Sequence, residues 1–457
     1  MSKTAVVMGG SLAGLMAARV LTERFEQVIV LERDRCLPSA PHASVPQAHH
    51  VHVLLLRGLQ ILDALFPGFS DELIREGGLL LDSARDFHWF TPAGWAPRFT
   101  SGLPFLAVSR PLLESTVRRR VAQLSAVSMR EGASATGLSI DKSLRRITGV
   151  CAEPDGFIPA SLVIDAMGRA SHLPKWLERL GYARPAETAV DGHLAYSSRI
   201  YRREHTPERD WQGAFSQAAP PDLRRTGVAL PIEGDRWMVT LAGGGKDYPP
   251  IDEAGFAAFA KSLPNPGIHE VIANSIPLSS IYSHRGTQNR LRHYDRIRMP
   301  AGLLVTGDAA CCFNPVYGQG MSTAAIGALL LQDCLKSERF DRFQHKLASQ
   351  MQPAWLFATS EDVRYPGAEG ATLNLKMRLM HRYIDGAIRL SVGSTRVRAC
   401  FLRVLHMLAQ PSLLFRPDIM LRVLFQSGGY RWAPLTSWAE RAKNTCGSAV
   451  RPRPGSP

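Results

Sequence analysis

Acidic residues are in short supply in this 457-residue chain: 40 Asp and Glu stand against 54 Lys and Arg, for a formal charge of +14. Such a balance suits nucleic acid, anionic lipid or an anionic substrate carrier. No nucleic-acid motif occurs and the basic residues are spread. No nucleic-acid partner is therefore expected, and a solvated basic surface that attracts anionic cofactors is preferred. Cysteine is sparse as well. Cys36, Cys151, Cys311, Cys312, Cys334, Cys400 and Cys446 are odd in number, scattered and without a C-x-x-C pair. This argues against a disulfide framework or a metal site and suits a reducing cytosol. The adjacent Cys311 and Cys312 are read as small packing residues.

Other absences narrow the field further. No uninterrupted run of twenty apolar residues is present, so no membrane-spanning helix is predicted. Lys3 before an apolar run imitates a secretory signal, but a glycine turn interrupts that run, and a cytoplasmic location is expected. There is no internal repeat and no Ser-His-Asp or paired-carboxylate signature. With 45% apolar residues, a chain of this length has room for two or three domains and a large core.

What is present is a nucleotide-site pattern divided over the chain. Thr4-Ala5-Val6-Val7-Met8 reads as a strand and Gly9-Gly10-Ser11-Leu12-Ala13-Gly14 as a phosphate turn. Leu15 to Thr22 reads as a helix. Gln27 to Glu32 is a second strand, ending in an acid about twenty residues on, where a ribose diol would sit. Ser11 replaces the middle glycine of the usual turn; it is small enough for close phosphate approach, and its hydroxyl adds a hydrogen bond. Far downstream, Gly302-Leu303-Leu304-Val305-Thr306 reads as a buried strand leading to Asp308, a carboxylate suited to a ribityl hydroxyl. The turn Pro315-Val316-Tyr317-Gly318-Gln319-Gly320-Met321 then opens a small-residue helix. Its N-terminus offers N–H groups to a pyrophosphate or an anionic flavin ring. Between these lies Leu162-Val163-Ile164-Asp165, a strand ending in Asp-x-x-Gly-Arg-x-Ser at Asp165 to Ser171.

Together the three motifs resemble those of the FAD-dependent monooxygenases of the para-hydroxybenzoate hydroxylase superfamily. The resemblance implies an α/β fold: a Rossmann-type FAD-binding domain (GR2-like), an inserted antiparallel β-sheet substrate domain and a C-terminal helical region. The expected FAD-binding domain is discontinuous, over 1–85, 105–185 and 285–340. The substrate sheet takes 86–104 and 186–284, the helical region 341–443, and 444–457 is an expected disordered tail.

A narrower resemblance rests on Val45 to His52, Ser109-Arg110-Pro111-Leu112-Leu113, Leu230 to Trp237 and Phe313 to Gly318. These look like segments of the flavin epoxidases of polyether polyketide biosynthesis, the lasalocid and monensin type, over roughly residues 4 to 335. His49 fills the place of that family's basic residue before His-x-His. The implied reaction inserts one oxygen atom from O2 through a flavin C4a-hydroperoxide, epoxidising or hydroxylating an apolar polyene or other natural-product intermediate. NADPH or NADH would be the reductant, directly or through a separate flavin reductase. Two alternatives stay open. A double-bond reductase of the geranylgeranyl reductase type shares the fold and motif order, and a non-catalytic FAD-fold carrier protein would have a decayed nucleotide site. The Trp-x-Trp-x-Ile-Pro of flavin halogenases is absent.

By motif match, Gly9, Ser11 and Gly14 cradle the pyrophosphate, with Leu12 and Ala13 offering backbone N–H groups. Glu32 binds the adenosine ribose and Arg33 packs on adenine. Arg110 reaches the FAD phosphates or ribityl chain, as does Asp308. Gly318, Gly320 and Met321 lie against the flavin ring, and Pro315 shapes its substrate side. Catalytic residues are not legible, since the cofactor carries the hard step; Gln47, His50 and His52 are the candidates. Asp165 and Arg169 are read as structural, with contact to a nicotinamide as the alternative. In the helical region, Pro353, Pro366, Pro411 and Pro417 are expected breaks. Arg378, Arg382, Arg389, Arg396, Arg398, Arg403 and Arg416 alternate there with apolar residues. They face water around a cavity-capping core, the commoner arrangement, or lie on an anionic membrane.

Overall fold

The computed structural model of the chain describes residues 3–35, 46–204 and 209–426. Its centre is a five-stranded parallel sheet in the order Leu303–Val305, Leu162–Asp165, Thr4–Met8, Gln27–Glu32, Val127–Glu131. Thr4–Met8 is buried at every position, as expected of a central strand covered on both faces. Met8 lies opposite Asp165, and Asp165 opposite Val305. The three motifs therefore end side by side at the carboxyl edge of one sheet, where open α/β sheets bind ligands. Helix Leu12–Leu21 lays Leu15, Ala18 and Leu21 into the core and packs on helix Gly320–Ser337. Helix Arg110–Ala122 starts cleanly because the Ser109 hydroxyl accepts the Leu112 N–H at 3.3 Å and Pro111 occupies its first turn. The Ser109 N–H in turn donates to Glu233, so two segments of the narrower resemblance meet.

The inserted sheet has seven strands: Tyr282–His284, Ala195–Arg202, Arg236–Gly243, Arg225–Ile232, Gly213–Ser216, Phe87–Thr91 and Gly94–Trp95. It is not antiparallel throughout, because Phe87–Thr91 runs parallel to Gly213–Ser216. That strand arrives from an early excursion out of the parallel-sheet half rather than from a hairpin, so nothing forces the antiparallel sense. Helices Glu253–Lys261 and Pro266–Ala273 cover one face over Trp237, Val239 and Leu241.

The C-terminal part is helical: Phe343–Asp362, Leu375–Gly393, Thr395–Leu405 and Pro417–Gln426. Pro353 does not break its helix. The lost hydrogen bond and ring clash cost about 3 kcal/mol, and burial of Met351, Ala354, Trp355 and Ala358 on that helix offsets them. Arg398 also departs from expectation: it is 1% exposed and stacks over Trp89 at 4.0 Å instead of facing water. No helix among the described residues is long and apolar enough to cross a membrane. The expected tail, 444–457, lies outside the described residues, as do Cys36 and Cys446.

Candidate functional site

The phosphate turn is built from side chains that are missing. Gly9 has φ +104°, and a Cβ there would stand 2.4 Å from the Ala166 carbonyl oxygen. A Cβ on Gly14 would stand 1.9 Å from the Gly9 oxygen. Ser11 sits at the N-cap of helix Leu12–Leu21, yet its side chain makes no capping bond. Its hydroxyl instead accepts from Arg110 Nη2 at 3.3 Å. The first-turn N–H groups thus keep no side-chain cap, and a buried guanidinium stands beside them, a donor set that fits a pyrophosphate. Arg110 is held by Glu114 at 2.9 Å. Two turns further along the same helix, Arg118 donates to the Gly10 carbonyl at 2.6 Å, a contact the motif reading missed. Glu32 is 4% exposed and accepts the Gly10 and Asp34 N–H groups at 2.8 and 2.9 Å. Arg33 lies near the surface, 3.9 Å from Asp34.

Asp308 joins this cleft through glycine. Gly307 has φ +61°, and a Cβ there would meet the Ala13 Cβ at 2.6 Å. The two halves of the nucleotide pattern, nearly the whole chain apart, therefore touch. Burial pushes the Asp308 carboxyl above its ordinary value, against the pull of Arg169 and Arg110. Asp165 ties its own turn, accepting from Ser171 Oγ at 2.5 Å and the Met167 N–H at 3.0 Å. Arg169 donates to the Gln288 carbonyl. Both residues thus bond within the protein, tying the turn after strand Leu162–Asp165 to its surroundings.

The loop after Asp308 rests on a buried polar cluster absent from the sequence reading. Asp362, at the end of helix Phe343–Asp362, is fully buried. It accepts from Asn289 Nδ2 at 2.6 Å, Tyr317 OH at 2.6 Å and Asn314 Nδ2 at 3.1 Å. The Asn314 amide oxygen takes the Tyr196 hydroxyl, and the Val316 N–H donates to that hydroxyl at 2.9 Å. Burial pushes the Asp362 carboxyl up to about 7 despite its three donors. Gly318, at φ +66°, then turns the chain into helix Gly320–Ser337, whose N-cap Gln319 makes no side-chain cap bond. Met321 lies buried in the first turn.

A cavity of about 270 Å3 opens on this loop, with Pro315 to Gly318 in its wall. The sheet lines it with Trp89, Phe215 and Val228, and the C-terminal helices close it with Ile388, Phe401 and Leu402. Its one lining guanidinium among the described residues, Arg364, is tied to Asp385 by two bonds of 3.0 Å.

The histidine candidates separate here. His50 lines the cavity and bonds Ser198. His52 is not in its wall. Its Nδ1 donates to the His50 carbonyl at 2.8 Å, so Nε2 carries no proton. Burial and then the Arg110 charge push its pKa down to about 3. The Gln47 side chain lies outside the described residues.

Solved structures share this architecture. The flavin-dependent brominase Bmp2 superposes with a TM-score of 0.65 at 13% identity, covering 93% of this chain and 98% of that one. PqsL of Pseudomonas aeruginosa, described as a probable FAD-dependent monooxygenase, superposes at 0.60 with 15% identity over 79% and 94%. A flavoprotein/dehydrogenase from Cytophaga hutchinsonii gives 0.63 at 16% identity over 97% and 99%. The fold is that of the FAD-dependent monooxygenases, with a Rossmann-type FAD-binding domain and a helical C-terminus. Within it the chain is 33% identical over 398 residues to Protein Rv3254 of Mycobacterium tuberculosis, covering 81% of this chain and 82% of that protein, and it belongs to the same family. No model of a known protein family matches the chain.

Proposed function

We propose that this protein is an FAD-dependent monooxygenase that adds one oxygen atom from O2 to an uncharged, apolar natural-product intermediate, epoxidising an alkene or hydroxylating a ring. The observation that carries this reading is the continuity of two features. An apolar, aromatic-lined cavity ends on the Pro315–Gly318 loop, and that loop follows directly from the Gly307 turn packed on Ala13.

Bound FAD would supply the oxygen-activating redox chemistry. The first turn of helix Leu12–Leu21, with Gly9, Ser11, Gly14 and Arg110, would hold the pyrophosphate. Glu32 would hold the ribose, with Arg33 at the adenine end. Asp308 would take a ribityl hydroxyl, and Pro315, Gly318, Gly320 and Met321 would face the ring. The remaining task of the protein is to orient an apolar body and keep water away, which Trp89, Phe215 and Phe401 are suited to do.

Incubating the purified flavoprotein with NADPH or NADH, isotopically labelled O2 and a panel of apolar alkenes and arenes tests this. The expected product gains one labelled oxygen atom. Turnover only after adding a flavin reductase would assign the reductant to a partner. A gain of two hydrogens would favour the double-bond reductase, and absence of bound flavin the carrier protein.

Arg110→Met is expected to weaken FAD binding roughly ten- to a hundredfold, the loss of one charge-assisted contact. The change also strands the Glu114 carboxylate, so Arg110→Met/Glu114→Met is the companion. FAD affinity measured by flavin fluorescence should fall in both variants, while the melting temperature recovers in the double one. Unchanged affinity would remove Arg110 from the site.

A further inference from the structure

Among the described residues that line the cavity, His50 has a buried ring nitrogen, Nε2, without a hydrogen-bond partner. Its other nitrogen is engaged. Nδ1 lies 2.7 Å from Ser198 Oγ, and Ser198 Oγ lies 2.6 Å from Thr240 Oγ1. Ser198 and Thr240 face each other across adjacent strands, and the Val51 N–H donates to Thr240 at 2.9 Å. The imidazole is thereby fixed against the sheet both through its own ring and through the backbone of the next residue.

The two hydroxyls of this chain are free to reverse direction. With Ser198 donating to Thr240, Nδ1 carries the proton and Nε2 accepts. With Thr240 donating to Ser198, Ser198 donates to Nδ1 and Nε2 carries the proton. Burial, followed by the His284 and His49 charges, pushes the His50 imidazole down to about 3, so it stays neutral in both arrangements. Nε2 is therefore a group that donates or accepts as its partner requires. A buried polar atom of this kind costs free energy unless it is paired. The matching partner is a hydroxyl, which also does both. A carboxylate is a poor match: the lining guanidinium Arg364 is already held by Asp385, with Glu361 beside it.

We infer that His50 forms a polar subsite that binds a hydroxyl group, phenolic or alcoholic, on an otherwise apolar substrate. This rests on the reading of the cavity as the substrate site. It narrows that reading from any apolar molecule to one with a hydroxyl placed beside the Pro315–Gly318 loop.

The test is calorimetric titration of the FAD-loaded protein with para-pentylphenol and with pentylbenzene, which differ by the hydroxyl alone. Native protein is expected to bind the phenol roughly tenfold more tightly, although pentylbenzene is the more apolar. His50→Leu should reverse the preference, and His50→Gln, which keeps a donor and an acceptor, should retain it. Equal affinities in the native protein, or a phenol preference that survives His50→Leu, overturns the inference. So does an altered flavin absorbance in His50→Leu with the phenol preference intact, which would assign Nε2 to the flavin. If His50→Leu does not fold, the native comparison decides alone. Binding of neither probe overturns both the cavity reading and the subsite. Phenol discrimination without oxygen transfer leaves the subsite standing and counts only against the monooxygenase reading.

Discussion

Gly14→Ala is expected to yield protein with roughly a tenth or less of the native FAD content and a melting temperature about 5–10 °C lower. Taken alone, alanine in a helix is favoured over glycine by about 1 kcal/mol. Here the added Cβ would lie 1.9 Å from the Gly9 carbonyl oxygen. A contact that close relaxes only if strand Thr4–Met8 and helix Leu12–Leu21 move apart, and both are in the core. Overpacking of this kind costs about 1–3 kcal/mol, more than the propensity gain. The same movement displaces the first-turn N–H groups from Arg110 and Ser11, so the cofactor's stabilising contribution is lost as well. Gly393→Ala, at the exposed end of helix Leu375–Gly393 and away from the phosphate turn, is the companion variant. Its Cβ would meet nothing within 4 Å, so the fold is expected to tolerate it. Flavin content measured by absorbance, with melting followed by circular dichroism, separates the two. Native flavin content in Gly14→Ala would show that the phosphate turn does not hold FAD.

The parts of this protein that were legible in its sequence are dense local patterns. Gly9 to Gly14, Asp165 to Ser171 and Gly307 to Met321 each place turn chemistry at the end of an apolar strand. A strand-end turn has few structural meanings, and the sheet order then brings all three to one edge. The contact of Gly307 with Ala13 is the physical form of that pattern. What stayed hidden depends on partners distant in sequence. Nothing near Asp362 marks it as the acceptor for Asn289, Asn314 and Tyr317, since hydrophobic periodicity reports which face of a helix is buried and not what meets it. Arg118 could be found only once helix Arg110–Ala122 was known to run past Gly10. His50 and His52 are two residues apart in one motif, and only the folded structure separates them: His50 bonds Ser198 and lines the cavity, while His52 turns back onto the His50 carbonyl outside its wall. Arg398 and Pro353 misled for a related reason: a cation and a helix breaker were read by residue type, while Trp89 and the apolar face of helix Phe343–Asp362 decided their surroundings.

Asp362→Leu is expected to destabilise the protein by about 3–5 kcal/mol, because it strands several buried donors at once. The loop Asn314 to Gly318 hangs from those donors, so bound FAD should fall together with the melting temperature. Asp362→Asn asks a finer question. The buried carboxyl is pushed up to about 7, whereas an unfolded chain releases that proton near its ordinary value of 3.8. Below that lower value both states hold the proton. Between the two, the native state holds a proton that the unfolded state has lost, so this group's contribution to stability declines as pH rises, and it levels off above about 7. The slope approaches roughly 1.4 kcal/mol per pH unit inside that window. Asp165, raised to about 6 by burial, acts in the same direction, so comparison with Asp362→Asn isolates the Asp362 share. Urea unfolding of both proteins at intervals from pH 4.5 to 8 should show native stability falling relative to the asparagine variant up to about pH 7, and parallel curves beyond. Parallel curves across the whole range would mean that Asp362 keeps its charge when buried, and that its three donors outweigh its desolvation.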